Sequence, residues 1–234
     1  MTVIPFRSRS TGKRNSGSEN AAPAFREPPR GVPAVGIDLG TTNSVASVFA
    51  PDQEHPRSLE FDGHPLVPSM ILFNPENGSL VVGAGAREHL AHDASDVVRS
   101  TKRDMGTPGR TFVSGGRQFT AEESAREVLR FLASHEELDS ARTLGHGTLW
   151  SVITVPAHFD DAARQATLAS ARDAGLEVMR IINEPTAAAL AYSMLPDVRS
   201  TEHELLAVFD LGGGTFDVSI VEREGLVFNV LSSE

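Results

Sequence analysis

At 234 residues the chain is long enough for one large domain or two small ones, and at 40% hydrophobic residues it can bury a core. A formal net charge of −10 argues against a nucleic-acid binder, and the lack of cysteine removes disulfides, thiolate metal sites and cysteine nucleophiles together. No apolar run approaches a membrane span, and a cysteine-free chain fits a reducing, cytoplasmic compartment.

Residues 1–33 sum to +4 and the remainder to −14. The opening stretch is rich in Ser, Pro, Gly, Arg and Asn without periodicity, so it is expected to be a disordered basic tail. It has no continuous apolar segment for a secretory signal. A disordered leader is preferred here to an organellar transit peptide.

Strand character begins at Ala34. Val35-Gly-Ile-Asp38-Leu-Gly40-Thr41-Thr42-Asn43 is an apolar strand running into Asp-Leu-Gly and a small hydroxylated turn, and Ser44 to Phe49 is the returning strand. Pro51 to Pro65 is turn-like. Val67 to Phe73 and Leu80 to Val82 are expected strands around a turn at Asn74 to Gly78, followed by a short helix over Gly83 to His92. His89 and His92 fall one turn apart there, near Asp93 and Asp96. No further ligand joins them, so a solvated helix face is the better reading than a metal pair.

Val97 to Gly106 contains Lys102-Arg103, a pairing usually found at the surface. Arg110 to Val113 and Arg117 to Phe119 form a small hairpin over Ser114-Gly-Gly116. Thr120-Ala-Glu-Glu123 is a capping box. Ala121, Ala125, Val128, Leu129 and Leu132 then mark one helical face through about Glu137. Leu149 to Val155 is a buried-type strand ending at Pro156. Asp160 caps a helix to Ala174, stopped by Gly175. Glu177 to Asn183 is another strand, and Pro185 opens a helix at its first position. This alternation is α/β layering.

Asp210-Leu-Gly-Gly-Gly-Thr215-Phe-Asp217 follows the apolar run Leu205 to Phe209 and precedes the alternating Val218-Ser-Ile-Val221. Its pattern is strand, glycine turn, strand. Bare glycine N–H groups can hold phosphate oxygens, and carboxylates at the two mouths of the turn suit a hydrated Mg²⁺. The plainer alternative is a Gly-rich hairpin with capping aspartates. The echo at Asp38 to Asn43 weakens that alternative: two matching turns, far apart in sequence, suggest two related lobes facing one nucleotide. In the final strand, Leu226 to Leu231, Phe228 and Val230 fall on one face and Val227 and Leu231 on the other. Leaving about five such side chains uncovered forfeits roughly 1.5–3 kcal/mol each. That total rivals the ~5–15 kcal/mol stability of a domain. The sequence is therefore expected to be cut inside a domain or to need a partner.

Four stretches carry a resemblance. They are Gly36-Ile-Asp-Leu-Gly-Thr-Thr-Asn-Ser44, Val152-Ile-Thr-Val-Pro-Ala-His-Phe159, Ile181-Ile-Asn-Glu-Pro-Thr-Ala-Ala-Ala-Leu-Ala-Tyr192 and Phe209-Asp-Leu-Gly-Gly-Gly-Thr-Phe-Asp217. In this order the chain, from about residue 34 to 234, resembles the heat shock protein 70 chaperones of the DnaK type. The resemblance implies an α/β fold of the actin-like ATPase (ribonuclease H-like) kind. Two lobes flank a cleft that holds Mg·ATP, and hydrolysis switches an adjoining peptide-binding domain. Residues 34–196 would be lobe I, and 203–234 the first strands of an incomplete lobe II.

On that resemblance Asp38 would bind hydrated Mg²⁺ or a monovalent cation such as K⁺. Gly40, Thr41, Thr42 and Asn43 would contact phosphate from one lobe, and Gly212, Gly213, Gly214 and Thr215 from the other. Lys102 would sit by the γ-phosphate and place the attacking water. Glu184 and Asp210 would hold the metal's water shell, with Asp217 as a further cation-side carboxylate. Pro156 and Arg164 match a pair that relays nucleotide state outward. Protein clients and co-chaperones would engage regions outside this sequence.

Three departures stand out. His158 replaces an aromatic Tyr or Phe, the stretch between Gly106 and Thr120 is short, and the remainder of lobe II, with the adenosine-binding glycine motif, the linker and the peptide-binding domain, does not follow. The alternatives are a non-catalytic half-module completed by a partner chain, or another actin-like ATPase such as a sugar kinase or filament protein. The extended match at Ile181 to Tyr192 speaks against the latter.

Overall fold

Two hairpins that share the Asp-Leu-Gly turn each anchor a sheet of their own in the computed structural model, which describes residues 1–6, 27–195, 198 and 203–234. β1 (Thr2–Phe6) starts the chain and joins the second sheet. β2 (Ala34–Asp38) and β3 (Asn43–Phe49) form the first hairpin, with β4 (Arg57–Ser58) antiparallel beyond β3 and β5 (Val67–Pro68) on its far end. β6 (Met70–Phe73) is flanked by β7 (Leu80–Val82) and, after helix α1 (Ala84–His89), by β8 (Val97–Arg99). A single 3-10 turn, Thr101–Asp104, carries Lys102 and Arg103. β9 (Phe112–Ser114) and β10 (Arg117–Phe119) make the small expected hairpin.

Helix α2 (Ala121–Ala133) has the complete capping box. Glu123 N donates to Thr120 Oγ1 at 3.1 Å, and Thr120 N donates to Glu123 Oε2 at 2.9 Å. Its buried face includes Val128, Leu129 and Leu132, as the periodicity predicts. The helix stops at Ala133 rather than near Glu137. His135 Nδ1 accepts from Glu137 N and starts a fresh 3-10 turn, Glu136–Leu138, which swings Leu138 fully into the core. α3 (Asp139–Leu144) continues from it and buries Ala141.

β11 (Leu149–Val155), α4 (Asp161–Asp173) and β12 (Leu176–Asn183) form a parallel strand–helix–strand unit. Asp160 Oδ1 accepts from Ala163 N at 2.8 Å to start α4, and Gly175 at φ +87° lets the chain turn out of it. β11 pairs parallel with β2, giving the order β12-β11-β2-β3-β4. α2 and α4 pack together, and the core of this unit runs from Val35 and Ile37 to Leu129, Leu132 and Ile153. Helix α5 (Glu184–Ser193) follows β12. Asn183 is its N-cap, so Glu184 is first and Pro185 second, one place later than expected. Either place suits proline, because first-turn amides have no intrahelical acceptor.

β13 (His203–Leu211), β14 (Phe216–Glu224) and β15 (Val227–Ser233) form an antiparallel meander. Ala189 of α5 packs on Leu206, Val208 and Val221 of this sheet, with Val3, Tyr192, Phe228 and Val230 around them. The opposite face has no such cover: Leu211 is 77% exposed, Phe216 58%, Val227 56% and Leu231 55%. Between these exposed ends, Leu205, Ala207, Phe209, Val218 and Ile220 of the same face are half-buried.

The tail expectation needs correcting at its start. Thr2–Phe6 are extended and pair antiparallel with β13, from Thr2 opposite Phe209 to Phe6 opposite Leu205. The opening Thr-Val-Ile-Pro-Phe is a short β-prone run that the polar average of residues 1–33 hides. The rest of the tail reading, over 7–26, lies outside the described residues. Among the described residues no helix is long and apolar enough to cross a membrane.

Candidate functional site

The first turn is held open by hydroxyls beneath it. Ser69 Oγ donates to the Gly40 carbonyl at 2.8 Å and is within 2.9 Å of Ser44 Oγ; Ser69 N donates to the Thr42 carbonyl at 2.8 Å. Position 40 admits only glycine without rearrangement, since a Cβ there would lie 2.0 Å from the Asn43 carbonyl oxygen. The second turn closes through Gly212 N donating to the Thr215 carbonyl at 2.9 Å. The two turns meet: a Cβ on Gly213 would come within 2.7 Å of Thr42 Oγ1.

Between them lies a cleft of about 420 Å³. From the first sheet it is lined by Asp38, Gly40, Thr41, Thr42 and Asn43. From the second come Asp210, Gly212, Gly213, Thr215 and Asp217. Lys102, Pro156 and Glu184 complete the set that the sequence singled out. Two expected residues do not line it. Gly214 is engaged by Arg103, its carbonyl accepting from that guanidinium. Arg164 donates to the carbonyls of Phe159 and Ala157 at 3.0 and 3.3 Å and to Asn183 Oδ1 at 2.7 Å. It ties the loop after β11 to the residue that caps α5.

Lys102 is not the surface residue its type suggests. Its ammonium pairs with the Glu184 carboxylate, and the two side chains are only 9% and 12% exposed. The 3-10 turn that ends at Asp104 aims Lys102 inward. Burial pushes the Glu184 carboxyl above its usual range; Lys102 opposes that through charge and hydrogen bond, while Asp38 and Asp210 push it further up. Burial also raises Asp210, opposed by the chain's amino terminus and Lys102 and reinforced by Asp38 and Asp217. For Glu184 burial outweighs the ion pair, as it does for carboxylates crowded where water is scarce.

Three partners of the site are absent from the binding residues that the sequence reading assigned. Thr154 Oγ1 donates to Asp38 Oδ1 at 2.8 Å and orients that carboxylate. A lone hydroxyl at the end of an apolar strand is the only hint of it. Arg103 bridges from the 3-10 turn to the second glycine turn, while its neighbour Lys102 pairs with Glu184 at the start of α5. His158 Nδ1 stands 3.7 Å from Asp217 Oδ1 across the cleft mouth. His89 and His92 keep their ring centroids 6.1 Å apart and join no third ligand among the described residues.

The donor set fits a hydrated divalent cation with a polyphosphate. Asp38, Asp210 and Asp217 offer oxygen to a hard ion, Lys102 offers one positive charge, and the turns present backbone N–H groups at positions where side chains would clash.

Comparison with known proteins gives the family. A family model described as Hsp70 protein matches residues 34–114 and 110–234. The chain is 44% identical over 200 residues to the chaperone protein DnaK of Mycoplasmopsis agalactiae, covering 85% of this chain and 31% of that protein. It is 43% identical over 200 residues to the DnaK of Mycoplasmopsis pulmonis, again 85% and 31%, and 41% identical over 199 residues to that of Thermosipho melanesiensis, 85% and 32%. It thus spans about a third of the length of these curated relatives. The match takes in both hairpin turns and everything that lines the cleft between them, and on it the chain belongs to the Hsp70 protein family.

Proposed function

We propose that the cleft is the phosphate half of an ATP site in an Hsp70-type chaperone of the actin-like ATPase fold, with residues 34–196 as lobe I and 203–234 opening lobe II. One observation carries this: glycine turns from two separate sheets, one lysine and the carboxylates of Asp38, Glu184, Asp210 and Asp217 share a single cavity. Phosphoryl transfer is mostly positioning and charge neutralisation, which is what such a set can supply. Gly40, Thr41, Thr42, Asn43 and Gly212 to Thr215 would cradle the phosphates. Lys102 would offset γ-phosphate charge and position the attacking water, with Glu184 orienting both. Asp38, Asp210 and Asp217 would hold Mg²⁺ through its waters, with room for K⁺ beside it, and Mg²⁺ would supply neutralisation of the transferred phosphoryl group. Pro156 and Arg164 would pass the state of the cleft to the surface. Clients and co-chaperones would act through parts of the longer protein.

Titration calorimetry of the 234-residue chain with Mg·ATP and Mg·GTP tests the site. Weak binding, equal for the two bases, with negligible turnover is expected, since the family's adenosine-binding glycine motif is not in this sequence. Micromolar binding selective for ATP would overturn the base-indifference. No binding of either triphosphate would overturn the site.

A second reading has its own observation, the exposed Leu211, Phe216, Val227 and Leu231 of the second sheet. We propose that this face completes the fold against a partner chain. Light scattering after size exclusion should show association that Leu211→Lys with Leu231→Lys abolishes. A well-behaved wild-type monomer would count against it.

A further inference from the structure

The β13–β14 hairpin carries donor side chains at both ends. Asp210 and Asp217 flank the glycine turn at the cleft. A second group lies at the other end of β13, about 23 Å away at ~3.3 Å per residue. There His203 is paired across the strands with Glu224, and Glu222 falls on the same face of β14, two residues before it. His203 Nε2 is 2.8 Å from Glu224 Oε1, and the imidazole and both carboxylates each bring a donor atom within 4.8 Å of the others. Asn229 of β15 is paired with Glu222 and shares that face.

The cation nearest in sequence is turned away from this group. Arg223 lies between the two glutamates but on the opposite face, over the Phe228 ring. It donates to the Gly225 carbonyl at 3.0 Å and stands 3.7 Å from Glu204. Glu222 makes no ion pair with a described residue. The chemistry of the donors narrows the ion. Mg²⁺ and Ca²⁺ take oxygen ligands, whereas an imidazole beside carboxylates suits Zn²⁺ and its first-row neighbours. Ligands at ~2.0–2.2 Å from one ion stand roughly 3–3.5 Å apart, so the His203–Glu224 contact is already near the spacing required. His203 is exposed and both glutamates are half-buried, which leaves water free to take the remaining positions.

We propose that His203, Glu222 and Glu224 form a binding site for a divalent first-row transition ion of the Zn²⁺ type, with Asn229 or water completing its shell. The ion joins β13 to β14 at the end of the hairpin remote from the cleft. The inference concerns that end of the sheet and is independent of nucleotide or Mg²⁺ at the glycine turns.

The chain has no cysteine, so thiolates do not compete for an added ion, and His89 with His92 is the rival pair. Calorimetric titration of the full chain with zinc chloride should show a micromolar site. His203→Ala should weaken it at least about tenfold, and so should Glu222→Gln with Glu224→Gln. His89→Ala with His92→Ala, and Asp210→Asn in the cleft, should leave it in place. Co²⁺ used instead of Zn²⁺ should give a visible absorption that His203→Ala abolishes and that a large excess of Mg²⁺ does not displace. With chelator present, the variants at positions 203, 222 and 224 should melt with the wild type, so that a lost ligand is told from a lost fold. Zn²⁺ binding equal in wild type and His203→Ala would overturn the site, as would loss confined to the His89 and His92 variant or to Asp210→Asn. Displacement by Mg²⁺ would reduce the face to an ordinary acidic patch and overturn it as well.

Discussion

Replacing Lys102 by Met isolates the central ion pair. Both side chains are almost buried, so removing the ammonium leaves the Glu184 carboxylate near Asp38 and Asp210 with no cation in contact. Breaking such a pair from one side costs about 3–5 kcal/mol. Glu184 has an escape, which is to take a proton. Burial already holds its carboxyl above the usual range against the pull of Lys102, and without that pull it rises further. A carboxyl raised in the folded state lends stability below its unfolded pKa, and that stability is lost as pH rises through the folded pKa. Lys102→Met should therefore lose more, relative to wild type, at pH 8 than at pH 5. At 2–4 °C per kcal/mol for a domain of this size, a loss of about 3 kcal/mol is a Tm drop of roughly 6–12 °C at pH 8, and less than half of that is expected at pH 5. Calorimetric melts of Lys102→Met, Glu184→Gln and the double variant measure it. The double variant should recover most of the loss, because an amide brings no charge to bury. A loss equal at both pH values, or a double variant no better than the single, would refute the claim that an unpaired Glu184 charge is the cause.

Three further outcomes follow from the same geometry. Gly40→Ala should open the first turn, because its Cβ has 2.0 Å to the Asn43 carbonyl. Strain of this kind costs about 1–3 kcal/mol in melts, and calorimetry should show triphosphate affinity at least about tenfold weaker, or ~1.4 kcal/mol. Mg²⁺ alone should raise Tm, because Glu184 and Asp210 are both lifted by burial and by neighbouring carboxylates that a cation would relieve. At ten times its Kd the gain is about 1.4 kcal/mol, larger at pH 8 than at pH 5 where protons compete; a flat thermal-shift titration would remove the metal assignment. Thr120→Ala should cost about 1 kcal/mol through the lost cap, seen as a Tm drop of roughly 2–4 °C, with triphosphate binding unchanged.

The parts of the fold that were legible are those where local chemistry and tertiary packing agree. The α2 start, the Asp160 cap, β11 and the two hairpins are marked by side chains that bond within three residues or alternate against one core. The end of α2 was not legible, since the helical pattern persists past Ala133 and only Leu138's place in the core decides that the chain turns. β1 was hidden for the opposite reason. Five β-prone residues fall inside a polar stretch, and what makes them a strand is an acceptor edge two hundred residues away.

The site divides along the same line. Glycines and carboxylates declare themselves by motif, because the turn needs no Cβ and the cation needs oxygen. Lys102 could be placed only through the resemblance, since nothing local distinguishes it from a solvated lysine; the 3-10 turn and the depth of Glu184 do that in three dimensions. Arg103 was illegible altogether. Its neighbour turns inward to Glu184 while it reaches across to the Gly214 carbonyl, so one dipeptide senses both the α5 start and the second glycine turn. Glu184 opens α5, a helix that packs on the second sheet through Ala189, so the dipeptide is tied to that sheet by both routes: Arg103 directly at the Gly214 carbonyl, and Lys102 through the first residue of α5.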